Sequence, residues 1–207
     1  MYNISHFKAN HESEVLTFMR DNPFAIICGV DENLKPIATQ VPVLFEERDG
    51  KLILLAHIMR NQLHSKAFEK NSDVLVIFNS NSTYISAKNY QQQNTASTWN
   101  YQTVHANGVL KFVDDEMLYN ILSRLTHQFE NDENSPSSFN KLDKNYVKEH
   151  SKAIIGFEIE VTEIQHVFKM SQNKDDETKH KIIRSLIESN DHDKIAFANK
   201  MKKFFKF

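Results

Sequence analysis

Between Thr98 and Val113 the chain alternates with a period of two for longer than in any other strand-like stretch. Val104, Ala106, Gly108, Leu110 and Phe112 fall on one side, and Trp99, Tyr101, Thr103 and His105 on the other. That period is the signature of a strand with two unlike faces. A second run, Ile154 to Met170, sets Phe157, Ile159 and Val161 against Glu158, Glu160 and Thr162. Half-buried strands of this kind belong to antiparallel sheets, whose outer face can meet water. They predict a mainly antiparallel α+β fold. The second face of the first strand is aromatic with polar tips. It suits a flat ligand or a subunit partner, and it also reads as an ordinary strand packed under a helix.

Glycine spacing removes several function classes. Gly29, Gly50, Gly108 and Gly156 are too far apart to build a G-x-G-x-x-G turn or a Walker A loop. No two histidines form an H-x-x-x-H pair, and Cys28 is the single cysteine. A zinc ribbon and an intramolecular disulfide are therefore excluded, and Cys28, within an apolar run, reads as a buried thiol. With 25 Lys and Arg against 27 Asp and Glu the net charge is -2, which offers no bulk basic field for nucleic acid. No apolar run reaches membrane-spanning length and no signal-peptide pattern opens the chain, so it reads as cytoplasmic. Its 207 residues suit one domain, or one domain with an appendage.

The remaining elements follow from pattern. A helix is predicted from His11 to Asp21 with Asn10 as its cap and Val15, Phe18 and Met19 inward. Phe24 to Val30 reads as a strand, then Lys35 to Glu46 as another, with Pro42 marking an edge or a bulge. Arg48-Asp49-Gly50 closes a hairpin into Lys51 to His57, which makes a three-strand meander. Leu63 to Lys70 is a short helix and Val74 to Phe78 a central strand; Ser82 to Ser86 is a further candidate strand. Asn89 to Ser97 is a polar loop. Helices are predicted over Asp115 to Glu130, with Leu118, Ile121, Leu122, Leu125 and Phe129 inward, and over Lys144 to His150. Two more close the chain. Ile182, Ile183, Leu186 and Ile187 stripe the first, and Ile195, Phe197, Met201, Phe204 and Phe205 the second.

Chemistry concentrates where Ile53-Leu54-Leu55-Ala56 turns polar at His57. Arg60, Asn61 and Gln62 then stand between a buried strand and a helix start. Unpaired helix N–H groups and a planar guanidinium fork suit an anion. The same residues also read as a solvated turn. A second helix mouth follows Lys169-Met170-Ser171-Gln172-Asn173, where a plain cap at Asn173 is the simpler reading. The Lys-rich end, Lys194 to Lys206, reads as a helix terminus favoured by the dipole. No nucleophile, acid–base pair or metal triad emerges from spacing.

Several of these stretches resemble the PaiB-like family, labelled FMN-binding negative transcriptional regulators, within the FMN-binding split-barrel group related to pyridoxamine-phosphate oxidases. The resemblance rests on Met1-Tyr2 with His6-Phe7, on Ala56 to Gln62, on Val74 to Phe78 with Thr83-Tyr84-Ile85-Ser86, and on Thr98-Trp99-Asn100-Tyr101 with Val104 to Gly108. It continues through Gly156 to Ile159 and Phe168 to Asn173. The chain departs from the pattern at Ala87 and Ser97, where such proteins tend to carry proline. The resemblance implies a split β-barrel with flanking helices over residues 1–173, a helical appendage over 174–207, and a homodimer with FMN at its interface. Thr39, Gln40, Val41, Arg60 and Asn61 would cradle the ribityl phosphate, and Trp99, Asn100 and His105 would approach the ring. His57, Gln62, Lys169, Ser171 and Gln172 complete the expected binding set, with no metal. The expected role is transcriptional regulation or flavin-dependent redox chemistry. The alternatives are a flavin reductase or oxidase-like enzyme without a DNA role, and a haem-binding protein using His57 or His105. A regulator would make at most weak DNA contact, since no helix-turn-helix is evident.

Overall fold

The computed structural model describes residues 1–207 except Asn10, Gln93 and Glu133. The expected cap at Asn10 thus lies outside the described residues. The chain divides into two compact units. One comprises Met1–Phe18, Asn79–Val104 and Gln165–Phe207, and the other Met19–Phe78 and His105–Ile164. Helix α1 (Glu12–Asp21) and strands β7 (Thr98–Phe112) and β8 (Ile154–Lys169) contribute residues to both, and strand β5 (Asp73–Asn79) gives its last residue, Asn79, to the first.

The second unit is built on β1 (Phe24–Val30), β2 (Pro36–Pro42), β3 (Leu44–Arg48), β4 (Lys51–Met59) and β5 (Asp73–Asn79), joined by parts of β7 and β8. The strand order is β2-β1-β5-β7-β8-β4-β3. Strands β2 and β3 stand at opposite ends of that order, yet Val43 alone separates them along the chain. A flat sheet could not satisfy both facts. The sheet curls until its ends meet, and β2 packs against β4.

This corrects two expectations. Lys35 to Glu46 is two strands, and there is no three-strand meander. Pro42 has no N–H for a ladder, so pairing stops there, and the Val43 N–H turns aside to the Pro23 carbonyl at 2.9 Å. The β3–β4 hairpin forms as predicted. Asp49 and Gly50 both have positive φ, 53° and 74°, which matches the twist of the strands they join.

Gly108 matters for a different reason. A Cβ there would stand 2.6 Å from the Glu160 carbonyl oxygen and 2.6 Å from Ile159 Cγ2 on β8. Only a bare backbone lets β7 and β8 approach so closely. Helix α2 (Leu63–Lys70) packs on β1 and β2. Helix α3 (Asp115–Glu130) lies on β3 and β4, its Ile121 and Leu125 against Leu44, Ile53 and Leu55. The last turn of α3 is exposed throughout, so Phe129 faces outward rather than inward as its spacing suggested. A short α4 (Lys144–Ser151) precedes β8.

The first unit holds β6 (Thr83–Ile85), which pairs antiparallel with the start of β7. Helices α5 (Asp176–Ile187) and α6 (His192–Phe205) bury Ile182, Ile183, Leu186, Phe197 and Met201 around Ile85 and Met170. Ile187 falls outside this core. The cap of α5 is Asp175, not Asn173: its carboxylate accepts the Thr178 N–H at 2.8 Å. Among the described residues no helix is long and apolar enough to cross a membrane.

Candidate functional site

The expected site residues fall into two groups, one in each unit. In the second unit β4 ends at Met59 and α2 begins at Leu63, which leaves three residues to reverse the chain. Asn61 takes the left-handed conformation, φ 62°, which asparagine tolerates better than most residues. Ser65 closes the helix start by accepting the Gln62 N–H and donating to the Gln62 carbonyl, both at 2.9 Å. Arg60 is pinned at both ends. Its backbone N–H donates to Ala153 O at 2.8 Å, and its Nη2 donates to Ile154 O at 2.8 Å. Asp115 Oδ1 stands 3.8 Å away, a loose contact with an exposed carboxylate.

The guanidinium is therefore oriented without being used up. Nε and Nη1 carry no partner among the described residues, and the side chain is 38% exposed. Thr39, Gln40 and Val41 sit on β2 opposite Ile27, Ile26 and Ala25. Gln40 is exposed, Thr39 half-buried and Val41 buried. Helix α2 packs on β2, so this triplet and the Arg60 turn are carried by touching elements.

Two imidazoles border the turn. His57 lies opposite Gly156, and burial pushes its pKa below the ordinary value. Its Nδ1 is buried without a hydrogen-bond partner, and so is His64 Nε2. Unsatisfied buried nitrogens are uncommon, and a bound ligand or water would complete them. His105, half-buried on β7, is also held below its ordinary pKa by burial. An anchored fork, the exposed amides of Asn61 and Gln62 and a helix start fit a phosphate-bearing ligand in this unit.

The group in the first unit is arranged differently. Trp99 is 55% exposed and meets Tyr84 edge-on at 5.8 Å. Asn100 is fully buried, and its amide reaches Ser171 Oγ through nitrogen at 2.9 Å and oxygen at 3.2 Å. Gln172 spends both ends of its amide locally, accepting the Met170 N–H and donating to Phe168 O. These three side chains lock the turn after β8, where Ser171 itself has φ 64°. Lys169 is different. Its ammonium donates to Thr98 Oγ1, and it faces a cavity of about 300 Å³. Tyr2, Phe7, Tyr90, Thr98 and Lys174 share that cavity. Sequence reasoning did not place them in a site, although Tyr2, Phe7 and Thr98 lay within the stretches that carried the resemblance.

The two missing prolines are structurally linked. The Ala87 N–H donates to Ser97 Oγ at 2.9 Å. A proline at the first position would have no N–H to give, and one at the second no hydroxyl to receive it. The chain departs from the pattern at both ends of one hydrogen bond.

A curled antiparallel sheet flanked by helices has counterparts of the same fold among solved structures. The flavocytochrome Anf3 from Azotobacter vinelandii superposes with a TM-score of 0.58 at 17% identity, covering 87% of this chain and 77% of that one. The FAD and haem binding protein from Mycobacterium smegmatis gives 0.54 at 12% identity, covering 83% and 78%. At these identities the likeness shows the fold alone. Sequence goes further. Residues 1–163 match the family model described as "Putative FMN-binding domain". The protease synthase and sporulation protein PAI 2 of Bacillus subtilis is 31% identical over 186 residues, covering 90% of this chain and 89% of that protein. An uncharacterised protein of Emericella nidulans is 28% identical over 74% of the chain and 77% of its own length. The chain belongs to this FMN-binding, PaiB-like family, and FMN is the cofactor that membership assigns.

Proposed function

We propose that the protein is a flavin-dependent redox protein that works as a homodimer. The observation that carries this is Arg60: a guanidinium fixed by Ile154 O at the mouth of α2, with donors left over. In this reading Arg60, Asn61, Gln62 and the β2 residues Thr39, Gln40 and Val41 hold the flavin phosphate. His57 and His105 line the site as neutral imidazoles, because burial disfavours their charged form. Trp99, on an exposed aromatic face, serves the dimer. Bound FMN supplies the electron-transfer chemistry, and the chain binds, orients and shields it. The test is an absorption spectrum of the purified protein before and after adding FMN, followed by titrations with FMN and riboflavin. FMN should bind more tightly, since only the phosphate uses Arg60. Equal affinities would remove Arg60 from the site, and a haem spectrum in place of a flavin one would favour the haem reading.

A regulatory role is the second reading, and the sporulation protein among the relatives favours it. The basic residues of α6 give it electrostatic support, and they are partly committed: Lys194 pairs with Asp191, and Lys200 with Asn81. With a net charge of -2, DNA binding should be weak and fall steeply with salt. A mobility shift on a defined sequence that persists at high salt would put regulation ahead of redox chemistry.

A further inference from the structure

We propose that the cavity bordered by Lys169 and Lys174 in the first unit is a binding site for a small flat aromatic anion, a carboxylate or a phosphate monoester. The proposal does not depend on the flavin reading.

The argument begins with charge. Neither Lys169 nor Lys174 makes an ion pair with any described residue. The neighbouring carboxylates are committed elsewhere: Asp175 caps α5 through Thr178, Asp176 holds Lys179, and Glu177 holds Lys181. Two lysines therefore line one cavity without a carboxylate among the described residues paired to either. Lys169 spends one donor on Thr98 Oγ1 and keeps the others. Its pKa is lowered by burial, so the charged form lacks adequate solvation where it sits. An entering anion would supply the missing partner in a partly desolvated place, where a charge-assisted contact is strong.

The walls define the rest of the ligand. Lys169 Nζ lies 5.8 Å from the centre of the Phe7 ring, and Lys174 Nζ lies 4.2 Å from that of Tyr90. Tyr2 and Ile4 add apolar surface. Aromatic faces beside cations receive a planar ring against the faces and its anionic end at the cations. The volume, about 300 Å³, lies at the small end of ligand pockets, which excludes a dinucleotide. The walls come from three separate stretches of sequence, and Phe7 is buried and fixed. The N-terminal stretch is tied down beyond Phe7, since the Ala9 N–H donates to His166 Nε2 at 2.8 Å and Lys8 Nζ to His166 O at 3.1 Å. The cavity is thus a held feature of this unit.

The experiment uses the full-length protein, with and without saturating FMN. Three probes are titrated by NMR: 4-hydroxybenzoate, phenyl phosphate and the neutral 4-hydroxybenzamide. At least one anion should bind, with shifts at Tyr2, Phe7, Tyr90 and Thr98, and about tenfold more tightly than the amide, the worth of one charge-assisted contact. Which anion binds better identifies the source. Lys169→Gln and Lys174→Gln should each weaken the anion while leaving the amide unchanged. The unsubstituted comparison of acid with amide decides the matter even if one variant fails to fold. Equal binding of anion and amide, or no binding of either at millimolar concentration, overturns the proposal. Competitive displacement of the probe by FMN also overturns it, because the cavity would then belong to the flavin.

Discussion

At the scale of single residues Arg60 carries the sharpest expectation. It follows β4 rather than belonging to its apolar run, so Arg60→Ala opens no core cavity. The backbone bond to Ala153 survives the change, and the loose Asp115 contact is worth little. If Arg60 holds the flavin phosphate as proposed, the change removes a contact between fork and phosphate, roughly 1.5–3 kcal/mol per hydrogen bond to a charged group. FMN affinity should fall by about tenfold or more. Arg60→Lys should recover part of that, because an ammonium lacks the planar fork. Riboflavin affinity should stay as in the unsubstituted protein, which separates loss of the phosphate contact from general damage. An Arg60→Ala protein that holds FMN like wild type would make Arg60 a turn residue and no more.

At the scale of elements, the sequence was most legible where period and length agreed. The long strands β7 and β8 and the helices α2 and α3 were readable because apolar residues recur on one face over most of their length. The corner at Pro42-Val43 was half legible. Proline announced a break, but nothing local says that the next strand joins the far end of the sheet, since closure is decided by long-range pairing. The Arg60 turn could be found because polarity changes abruptly there. The cavity of the first unit could not, since its walls come from residues far apart in sequence.

The same long-range tether gives a pH prediction. His166 Nε2 accepts the Ala9 N–H, which requires that nitrogen to be unprotonated. Burial first, and Lys8 second, hold the His166 pKa below its ordinary value. A lowered folded value means that the unfolded chain binds the proton first. The stabilisation is therefore complete above about pH 6.5 and is lost as pH falls through the folded value. Hydrogen-exchange protection at the Ala9 amide should drop between neutral and mildly acidic solution. His166→Gln, whose side-chain oxygen accepts without titrating, should flatten that dependence. Equal protection across the range in wild type would show that this bond does not hold the N-terminal segment.

At the scale of the whole molecule the question is assembly. Trp99 and Tyr84 form an exposed aromatic pair in the first unit, at the paired ends of β6 and β7. Their strand register sets Tyr84 opposite Trp99, so the pair is built by the sheet and is not an accident of loop packing. Exposed aromatics held rigidly in this way are characteristic of surfaces that another chain covers, because they offer large area with little ordering cost. If that chain is a second copy and FMN lies at the shared surface, assembly and flavin retention must weaken together. Trp99→Ala removes the larger ring without opening the core, and it should move the monomer–dimer equilibrium toward monomer in sedimentation measurements. Flavin should dissociate more readily from the same samples on dilution. Linkage makes the converse hold as well: saturating FMN should shift the Trp99→Ala protein back toward dimer. A wild-type protein that sediments as a monomer and holds FMN at full affinity would separate the two properties and end the shared-site proposal.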